Sequence, residues 1–192
     1  LADVKVKDLD VDGMHIKVQF NPARMVSSAA KVDAASLKAR KCFLCQENRP
    51  DVQRGISWND RYTILVNPFP IFPRHLTIPD DSHTDQLINN RIADMMKLAS
   101  ELDEYTVFYN GPRCGASAPD HMHFQAGNSD FLTIEENLEG TELKVISEEG
   151  DNTLALVDSM PMKVFVIDAV SPEEGQKMFN RLYAAIPVPE GE

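Results

Sequence analysis

The sequence predicts an α+β fold in which an antiparallel sheet and packed helices form a two-layer sandwich. Runs of β-branched and aromatic residues are separated by links of hairpin length. One long segment has the apolar spacing of an amphipathic helix, and a second such segment lies near the end of the chain. Strands joined by short turns pair as antiparallel neighbours, and amphipathic helices bury their apolar stripe against the sheet.

The first predicted element is a hairpin. Residues 4–9 and 14–20 alternate apolar with polar side chains, and Asp12-Gly13 between them suits a tight primed turn. Residues 29–40 are rich in Ala and Lys, which is compatible with either a short helix or an ordered loop.

The middle of the chain predicts two strands and a helix. Residues 62–66 and 75–79 have strong β character, and prolines restrict the connection between them. The sequence Ser-His-Thr-Asp at 82–85 resembles a capping box, so we expect a helix to begin there. Its apolar positions would be Leu87, Ile88, Ile92, Met95, Met96, Ala99 and Leu102.

The remaining elements follow a loop of small residues at 110–117. Strands are predicted at 106–109 and 121–126 on either side of this loop. An antiparallel set is predicted at 143–147, 153–158 and 163–169. Ser171 and Pro172 supply an N-cap and a first-turn proline for a last helix, which ends at Pro187.

Length and charge limit the function classes. The chain has 192 residues, enough for one domain, and we expect it to be a fragment of a longer protein. A net charge of -11 argues against nucleic acid or an anionic membrane as a partner. The chain contains no apolar run of the roughly 20 residues that a membrane helix needs. Three cysteines and no visible secretory signal favour a reducing compartment, the cytoplasm.

Two of the cysteines form a Cys-x-x-Cys motif at Cys42 and Cys45. Such a pair is either half of a metal site or a redox pair. The strand-then-helix context of a thioredoxin-like redox loop is absent, because Arg49-Pro50-Asp51 follows the motif. The sequence therefore favours metal binding.

The most informative segment is His121-Met122-His123-Phe124-Gln125. If it is a strand, alternation sends His121, His123 and Gln125 to one face. These side chains would lie beside the 110–117 loop, whose backbone amides could hold phosphate oxygens, so an imidazole there could attack phosphorus. Two histidines alone would favour an amphipathic strand with one solvent-exposed polar face. The neighbouring loop and the upstream cysteines favour the catalytic interpretation.

Five segments in order resemble the histidine-triad superfamily, in its nucleotidyltransferase and phosphorylase branch. They are 19–22 with 26–28, the Cys-x-x-Cys, 65–79 ending near His83, the loop at 110–117, and the His-x-His-x-Gln motif. The branch includes galactose-1-phosphate uridylyltransferases, GDP-hexose phosphorylases and dinucleoside polyphosphate phosphorylases. The resemblance spans about 19–126 and implies one histidine-triad-like domain over 1–192, with 127–192 adding strands and the last helix.

The resemblance assigns roles to individual residues. It makes His123 the nucleophile, with His121 and Gln125 as the other catalytic positions. A neutral imidazole is available at pH 7 and forms a phosphoramidate, whereas an amide at 125 can donate a hydrogen bond but cannot shuttle protons. The substrate-binding residues it implies are Asn67, Asn110, Gly115, Ala116 and Ser117. Asn67 is explained equally well as a turn residue before Pro68, and Gly115 as a residue that the loop geometry requires.

The same resemblance implies a structural zinc site. Its ligands would be Cys42, Cys45, His83 and His121, and two thiolates with two imidazoles suit a closed tetrahedral site. The alternative is that His121 is a hydrogen-bonded core residue and the cysteines are reduced packing groups. We expect His75 to support the strand and loop around it, and His15 and Cys114 to take no part.

These observations predict a nucleotidyltransferase or phosphorylase that works by double displacement. His123 would take a nucleoside monophosphate from a nucleoside-diphosphate sugar or a dinucleoside polyphosphate, and phosphate or a sugar phosphate would accept it. A nucleotide hydrolase and a non-catalytic, zinc-stabilised nucleotide-binding domain are the alternatives. Asp120 departs from the uridylyltransferase pattern, in which proline directly precedes the first histidine. Those enzymes also contain two related halves, of which one is recognisable here, so the protein is expected to pair as a homodimer or to be incomplete.

Overall fold

The computed structural model describes residues 3–24 and 32–187. Its strands are, in chain order, β1 (Lys5–Val11), β2 (Met14–Phe20), β3 (Gly55–Trp58), β4 (Tyr62–Val66), β5 (His75–Pro79), β6 (Tyr105–Phe108), β7 (His123–Asn128), β8 (Lys144–Glu149), β9 (Asn152–Val157) and β10 (Val164–Asp168). Its helices are α1 (Ala34–Ala39), α2 (Ile92–Glu101), α3 (Thr133–Leu138) and α4 (Pro172–Ala185). The mixture of antiparallel sheets and packed helices confirms the predicted α+β class.

The central sheet has five antiparallel strands in the order β3-β4-β5-β7-β6. One of its faces carries Ile78, Phe124 and Val107, which are buried together with Leu98 of α2. Phe179 of α4 packs against the same core, and α2 and α4 contact each other. The helices therefore cover one face of the sheet, as a two-layer arrangement requires, and alternation along the strands turns the polar side chains of the motif to the other face.

Several predicted elements are confirmed. The β1–β2 hairpin turns at Asp12 (φ 51°) and Gly13 (φ 80°), the positive φ values of a primed turn. β4 and β5 have the predicted bounds, and β8, β9 and β10 form the predicted antiparallel set, with small shifts at their ends. The Ser171 side chain accepts a hydrogen bond from Glu174 N at the start of α4. Two elements were not predicted, β3 and α3.

The region at 29–40 contains a short helix, which was one of the two structures predicted for it. Asp33 caps the helix α1 by accepting a hydrogen bond from Ser36 N at 2.9 Å. Residues 29–31 and the 26–28 part of the first resembling segment lie outside the described residues.

The prediction that a helix begins at the 82–85 capping box is wrong, because α2 begins at Ile92. The preceding residues make tertiary hydrogen bonds instead of helical ones. Thr84 O accepts from Met122 N at 2.6 Å, and Gln86 N donates to Pro119 O at 3.3 Å. These bonds hold the segment against the residues before β7, and a helix in that segment would break them.

The strand predicted at 121–126 also begins later, at His123. His121 N donates to Ala118 O and Met122 N to Thr84 O, and Met122 keeps one bond to the residue after β5, because its oxygen accepts from Asp80 N at 2.9 Å. His123 and Gln125 share one face as predicted. His121 does not belong to that row, because its ring is turned towards the cysteines.

In the described residues, no helix combines the length and the apolar character that crossing a membrane requires.

Gly127 of β7 permits a close contact with Phe72 on the face of the sheet opposite to α2 and α4. A Cβ at this position would lie 2.4 Å from Cδ1 of the buried Phe72 ring, and two more ring atoms lie within 2.6 Å. We predict that Gly127→Ala lowers the free energy of unfolding by about 1–3 kcal/mol, because the ring has to move. Thermal unfolding would show this as a loss of roughly 2–4 °C for each kcal/mol.

Gly111→Ala is the matched control for this measurement. Its added Cβ would have its nearest contact at 3.6 Å, an ordinary van der Waals distance, from Cys114 Sγ. Equal unfolding temperatures for the two variants would contradict the prediction.

Candidate active site and metal cluster

His123 is the first residue of β7 and pairs with Pro79 of β5. Its Nδ1 lies 2.8 Å from the backbone oxygen of His121. A carbonyl oxygen only accepts, so Nδ1 carries the hydrogen and Nε2 is left with a free lone pair. Within the described chain Nε2 has no hydrogen-bond partner, and His123 as a whole is 6% exposed.

The surroundings of His123 keep its ring neutral. Burial lowers the pKa of His123 below its ordinary value, and this effect outweighs the hydrogen bond to His121 O, which acts in the opposite direction. An imidazole that is neutral at pH 7 and has Nε2 free is in the form required of a nucleophile.

Gln125 is held by a chain of hydrogen bonds. The backbone N–H of Ile71 donates to His75 Nδ1 at 3.0 Å, so the hydrogen of His75 resides on Nε2. His75 Nε2 donates to Gln125 Oε1 at 3.1 Å, and Gln125 Nε2 donates to Asn110 Oδ1 at 2.8 Å. The tautomer of His75 thereby orients the Gln125 amide with its donor group towards the 110–117 loop.

The pKa of His75 supports this orientation. Burial lowers it to about 4, with the hydrogen bond to Gln125 opposing the shift and the positive charge of Arg24 adding to it. His75 is therefore neutral at pH 7 and keeps the single-hydrogen form that the chain of bonds needs. The expectation that it supports the neighbouring strand and loop agrees with these contacts.

The 110–117 loop is tied at Asn110, whose Nδ2 donates to Cys114 O at 3.4 Å. Gly115 has φ +87°, a conformation that other L-residues rarely adopt, and it is exposed. Ala116 is buried and Ser117 half-buried. In the described structure no hydrogen bond joins residues 115–117 to His123 or Gln125, whereas Asn110 is hydrogen-bonded to Gln125.

Asn67 lies next to the same face of the sheet. Its Oδ1 accepts from Phe69 N at 2.8 Å, and its Nδ2 donates to Thr77 Oγ1 at 2.7 Å. Thr77 is the register partner of Gln125. The bond from Phe69 N is the one expected of a turn residue. The bond to Thr77 uses one of the two Nδ2 hydrogens of Asn67, and neither of these two bonds uses the other hydrogen.

Four side chains outside the sheet form a cluster that could hold a metal ion. They are Cys42, Cys45, His83 and His121, and their ligand atoms all lie within 4.8 Å of one another. Cys42 Sγ is 3.3 Å from His121 Nδ1, Cys45 Sγ is 3.2 Å from His83 Nδ1 and 3.6 Å from His121 Nδ1. Tetrahedral zinc with ordinary bond lengths separates sulfur and nitrogen ligands by about 3.6 Å. The spacing therefore fits such an ion.

The orientation of the His121 ring also fits. Its Nε2 donates to Asp80 O at 2.8 Å, which leaves Nδ1 free to face the sulfur atoms. Asp80 is itself fixed, because its buried carboxylate contacts Arg91 at 2.9 Å and Arg61 at 3.2 Å. His121 thus contributes its ring to the cluster that could hold a metal ion, and its carbonyl oxygen to the hydrogen bond with His123.

The two thiols of the cluster differ. Burial alone would raise the pKa of Cys42, but hydrogen bonds from His121 and from backbone N–H groups outweigh it and lower the pKa to about 6. The pKa of Cys45 rises to about 11, first through burial and then through its neighbour Cys42. The contribution of His121 requires a proton on its Nδ1, which a bound metal ion would replace, whereas the backbone N–H groups favour the Cys42 thiolate, the form in which cysteine binds metal, in either case.

Asp120, the departure from the uridylyltransferase pattern, has a defined partner. Its Oδ1 lies 2.6 Å from Arg40 Nη2, and both side chains are largely buried. Arg40 follows α1 and comes two residues before Cys42. The ion pair therefore ties the end of the loop to the segment that carries the cysteines.

Two residues at the site were missed by the sequence reasoning. Gln86 has no exposed surface and bonds to the backbone of both His123 and Asn110. Asp80 orients the His121 ring through its backbone oxygen. No local pattern marks either residue, since both act across the fold on residues that are distant in the chain.

Comparison with solved structures supports the fold. The crystal structure of yeast Ap4A phosphorylase Apa2 in complex with AMP aligns with 94% of this chain and 61% of its own, with a TM-score of 0.56 and 20% sequence identity. At this identity the likeness establishes the fold alone.

Two proteins of Saccharomyces cerevisiae are similar in sequence. "Diadenosine 5',5'''-P1,P4-tetraphosphate phosphorylase 2" is 28% identical over 122 residues, which cover 56% of this chain and 37% of that protein. "Protein APA1" is 30% identical over 91 residues, which cover 42% of this chain and 28% of that protein. The match thus spans about a third of the length of these relatives.

These likenesses confirm the resemblance to the dinucleoside polyphosphate phosphorylase branch of the histidine-triad superfamily. A family described as "Domain of unknown function (DUF4922)" matches residues 1–128, two thirds of the chain. The chain belongs to this DUF4922 family.

Proposed function

We propose that the protein is a nucleotidyl-transferring phosphorylase acting on a dinucleoside polyphosphate through a covalent intermediate on His123. The observation that carries this proposal is the hydrogen bond between His123 Nδ1 and His121 O, which leaves Nε2 bare beside Gln125. The yeast relative named as a diadenosine tetraphosphate phosphorylase supports the choice of substrate class. Nucleoside-diphosphate sugars are the second substrate class to test.

The reaction has two displacements. In the first, Nε2 forms a bond to an α-phosphorus, the bond between that phosphorus and its bridging oxygen breaks, and the remaining nucleotide leaves with the electron pair. With diadenosine tetraphosphate this step gives adenylyl-His123 and ATP. In the second, an oxygen of orthophosphate attacks the same phosphorus, the N–P bond breaks, and ADP leaves. Nδ1–H stays on the ring throughout, where His121 O stabilises the positive charge of the phosphorylated imidazole.

The remaining site residues bind and orient the substrate. Gln125 donates a hydrogen bond from Nε2 to a non-bridging phosphate oxygen. Asn110 and the backbone of Gly115, Ala116 and Ser117 hold the phosphate chain, with backbone N–H groups stabilising charge that builds on phosphorus. Asn67 uses its free Nδ2 hydrogen for a ribose hydroxyl.

We also propose that the cluster of Cys42, Cys45, His83 and His121 binds zinc. Its ligand spacing and the free Nδ1 of His121 support this. Bound zinc would be structural, since four protein ligands close the coordination sphere. The protein would act in the cytoplasm, where the thiolates stay reduced.

The nucleophile is tested by His123→Ala. Turnover of diadenosine tetraphosphate with orthophosphate should fall by roughly 10⁴-fold or more, because the nucleophile is lost. Intact-mass and peptide mass spectrometry of the wild-type protein, quenched at alkaline pH, should locate one nucleotidyl group on His123. His15→Ala is the control, since that ring contacts Asp8 and Glu136 on the hairpin side. Full exchange activity in His123→Ala would contradict the proposal.

The acceptor is tested by supplying or withholding orthophosphate at constant ionic strength, with chloride as the control salt. Turnover with orthophosphate should exceed turnover without it by roughly 10²-fold, because Gln125 cannot perform the proton transfer that water attack requires. The products should be ADP and ATP. Equal rates in chloride, with AMP among the products, would identify a hydrolase instead.

Zinc binding is tested by elemental analysis. The wild-type protein should contain about one zinc per chain, and Cys42→Ser should lose it. Loss of a metal present at 100 times its Kd removes about 2.7 kcal/mol of stability, or roughly 5–10 °C in Tm. Cys114→Ser is the matched control, because Cys114 is exposed and outside the cluster. A wild-type protein free of zinc after purification without chelators would refute this assignment.

A further inference from the structure

We propose that Gln86 is a positioning residue that sets the distance between the nucleophile strand and the phosphate-binding loop. This inference rests on the proposed function, because it concerns how His123 is placed for that reaction. It is carried by three hydrogen bonds of one buried amide and by the place where they occur in the sheet.

The Gln86 side chain has every polar group occupied. Its Oε1 accepts from His123 N at 2.7 Å, and its Nε2 donates to His123 O at 3.1 Å and to Asn110 O at 3.0 Å. The residue has no exposed surface. A glutamine amide has two hydrogens, so both donors are used by backbone oxygens.

These bonds lie where the ladder between β6 and β7 ends. The last register pair of the two strands is Phe108 with Gln125. Two residues further, the same register would place Asn110 opposite His123, where antiparallel strands would exchange N–H and C=O bonds. The Gln86 amide lies between these two residues, bonds to the backbone of both in place of the direct bonds, and so acts as a spacer. It holds the strands apart where the loop opens and links them by hydrogen bonds on both sides.

The spacer is anchored through its own backbone. Gln86 N donates to Pro119 O at 3.3 Å, and Gln86 O accepts from the Tyr109 hydroxyl at 2.6 Å. Main-chain and side-chain groups of Gln86 therefore bond to residues that flank the loop, Tyr109 and Pro119, and to the first residue of β7. The backbones of His123 and Asn110 are bridged by one buried side chain.

A spacer of this kind affects the chemical step more than ground-state binding. Nε2 of His123 must approach phosphorus in line, and a misplacement of about 1 Å can cost 10²-fold in rate. Among the residues proposed to contact the substrate, Gln125 and Asn67 are held by other bonds, and the side chain of Asn110 is held by Gln125 and Cys114. Substrate affinity should therefore change little when Gln86 is altered.

The test is Gln86→Met, which keeps the length of the side chain and removes the amide. We expect kcat to fall by roughly 10²-fold while KM changes by less than about 3-fold, with adduct formation in a single turnover slowed as much as kcat. Gln176→Met is the matched control. That amide also bonds across elements, away from the site: it accepts from Ala93 N of α2 and donates to Asn180 within α4. It should keep wild-type kcat even where its thermal stability falls.

A second variant covers the case in which Gln86→Met does not fold. Gln86→Glu keeps an acceptor for His123 N and turns a carboxylate towards the two carbonyl oxygens, so it should also lose kcat with little change in KM. The wild-type kcat in either folded variant, or a proportional loss of kcat and nucleotide affinity in both, would overturn the inference.

The failure of the inference is distinguishable from the failure of the proposed function. An inactive His123→Ala together with a fully active Gln86→Met would refute the inference alone. If the wild-type protein gives neither turnover nor adduct, the proposed function fails, and nitrogen-15 NMR of the His123 imidazole decides the inference. Identical ring signals in wild type and Gln86→Met would then overturn it, and shifted signals with unchanged ones in Gln176→Met would support it.

Discussion

The site depends on the hydrogen bond from the His123 ring to the backbone oxygen of His121. This bond selects the tautomer of His123, and it can do so because the position of His121 is fixed. The His121 ring is held by Asp80 O on one side and faces two sulfur atoms on the other. The imidazole proposed as the nucleophile and the cluster proposed to bind zinc are therefore linked through one residue, His121.

The parts of the fold that follow from local patterns were predictable. Alternation and turn residues located the first hairpin, β4 and β5, and the N-cap at Ser171 located α4. The four residues of the metal cluster and the pair His123 and Gln125 came from spacing that resembles a known superfamily, and the structure brings each group together.

The parts of the fold in which tertiary hydrogen bonds replace the locally favoured ones were not predictable. The capping-box pattern at 82–85 is a sound local signal, yet Thr84 O accepts from Met122 N and the following Gln86 N donates to Pro119 O. β7 begins at His123 and the His121 ring faces the cysteines, so the predicted row of three polar side chains is a row of two. The role of Gln86 and the Asp120 pair with Arg40 depend on partners 24 to 80 residues away in the chain, and no window of sequence contains both members.

The buried His75 ring has a consequence for the working range of the protein. With its pKa at about 4, His75 stays uncharged throughout mildly acidic conditions. The amide of Gln125 therefore keeps its oxygen towards His75 and its N–H groups towards Asn110 over that range. In the proposed function, a phosphate oxygen would meet the same hydrogen-bond donor whether the solution is neutral or mildly acidic.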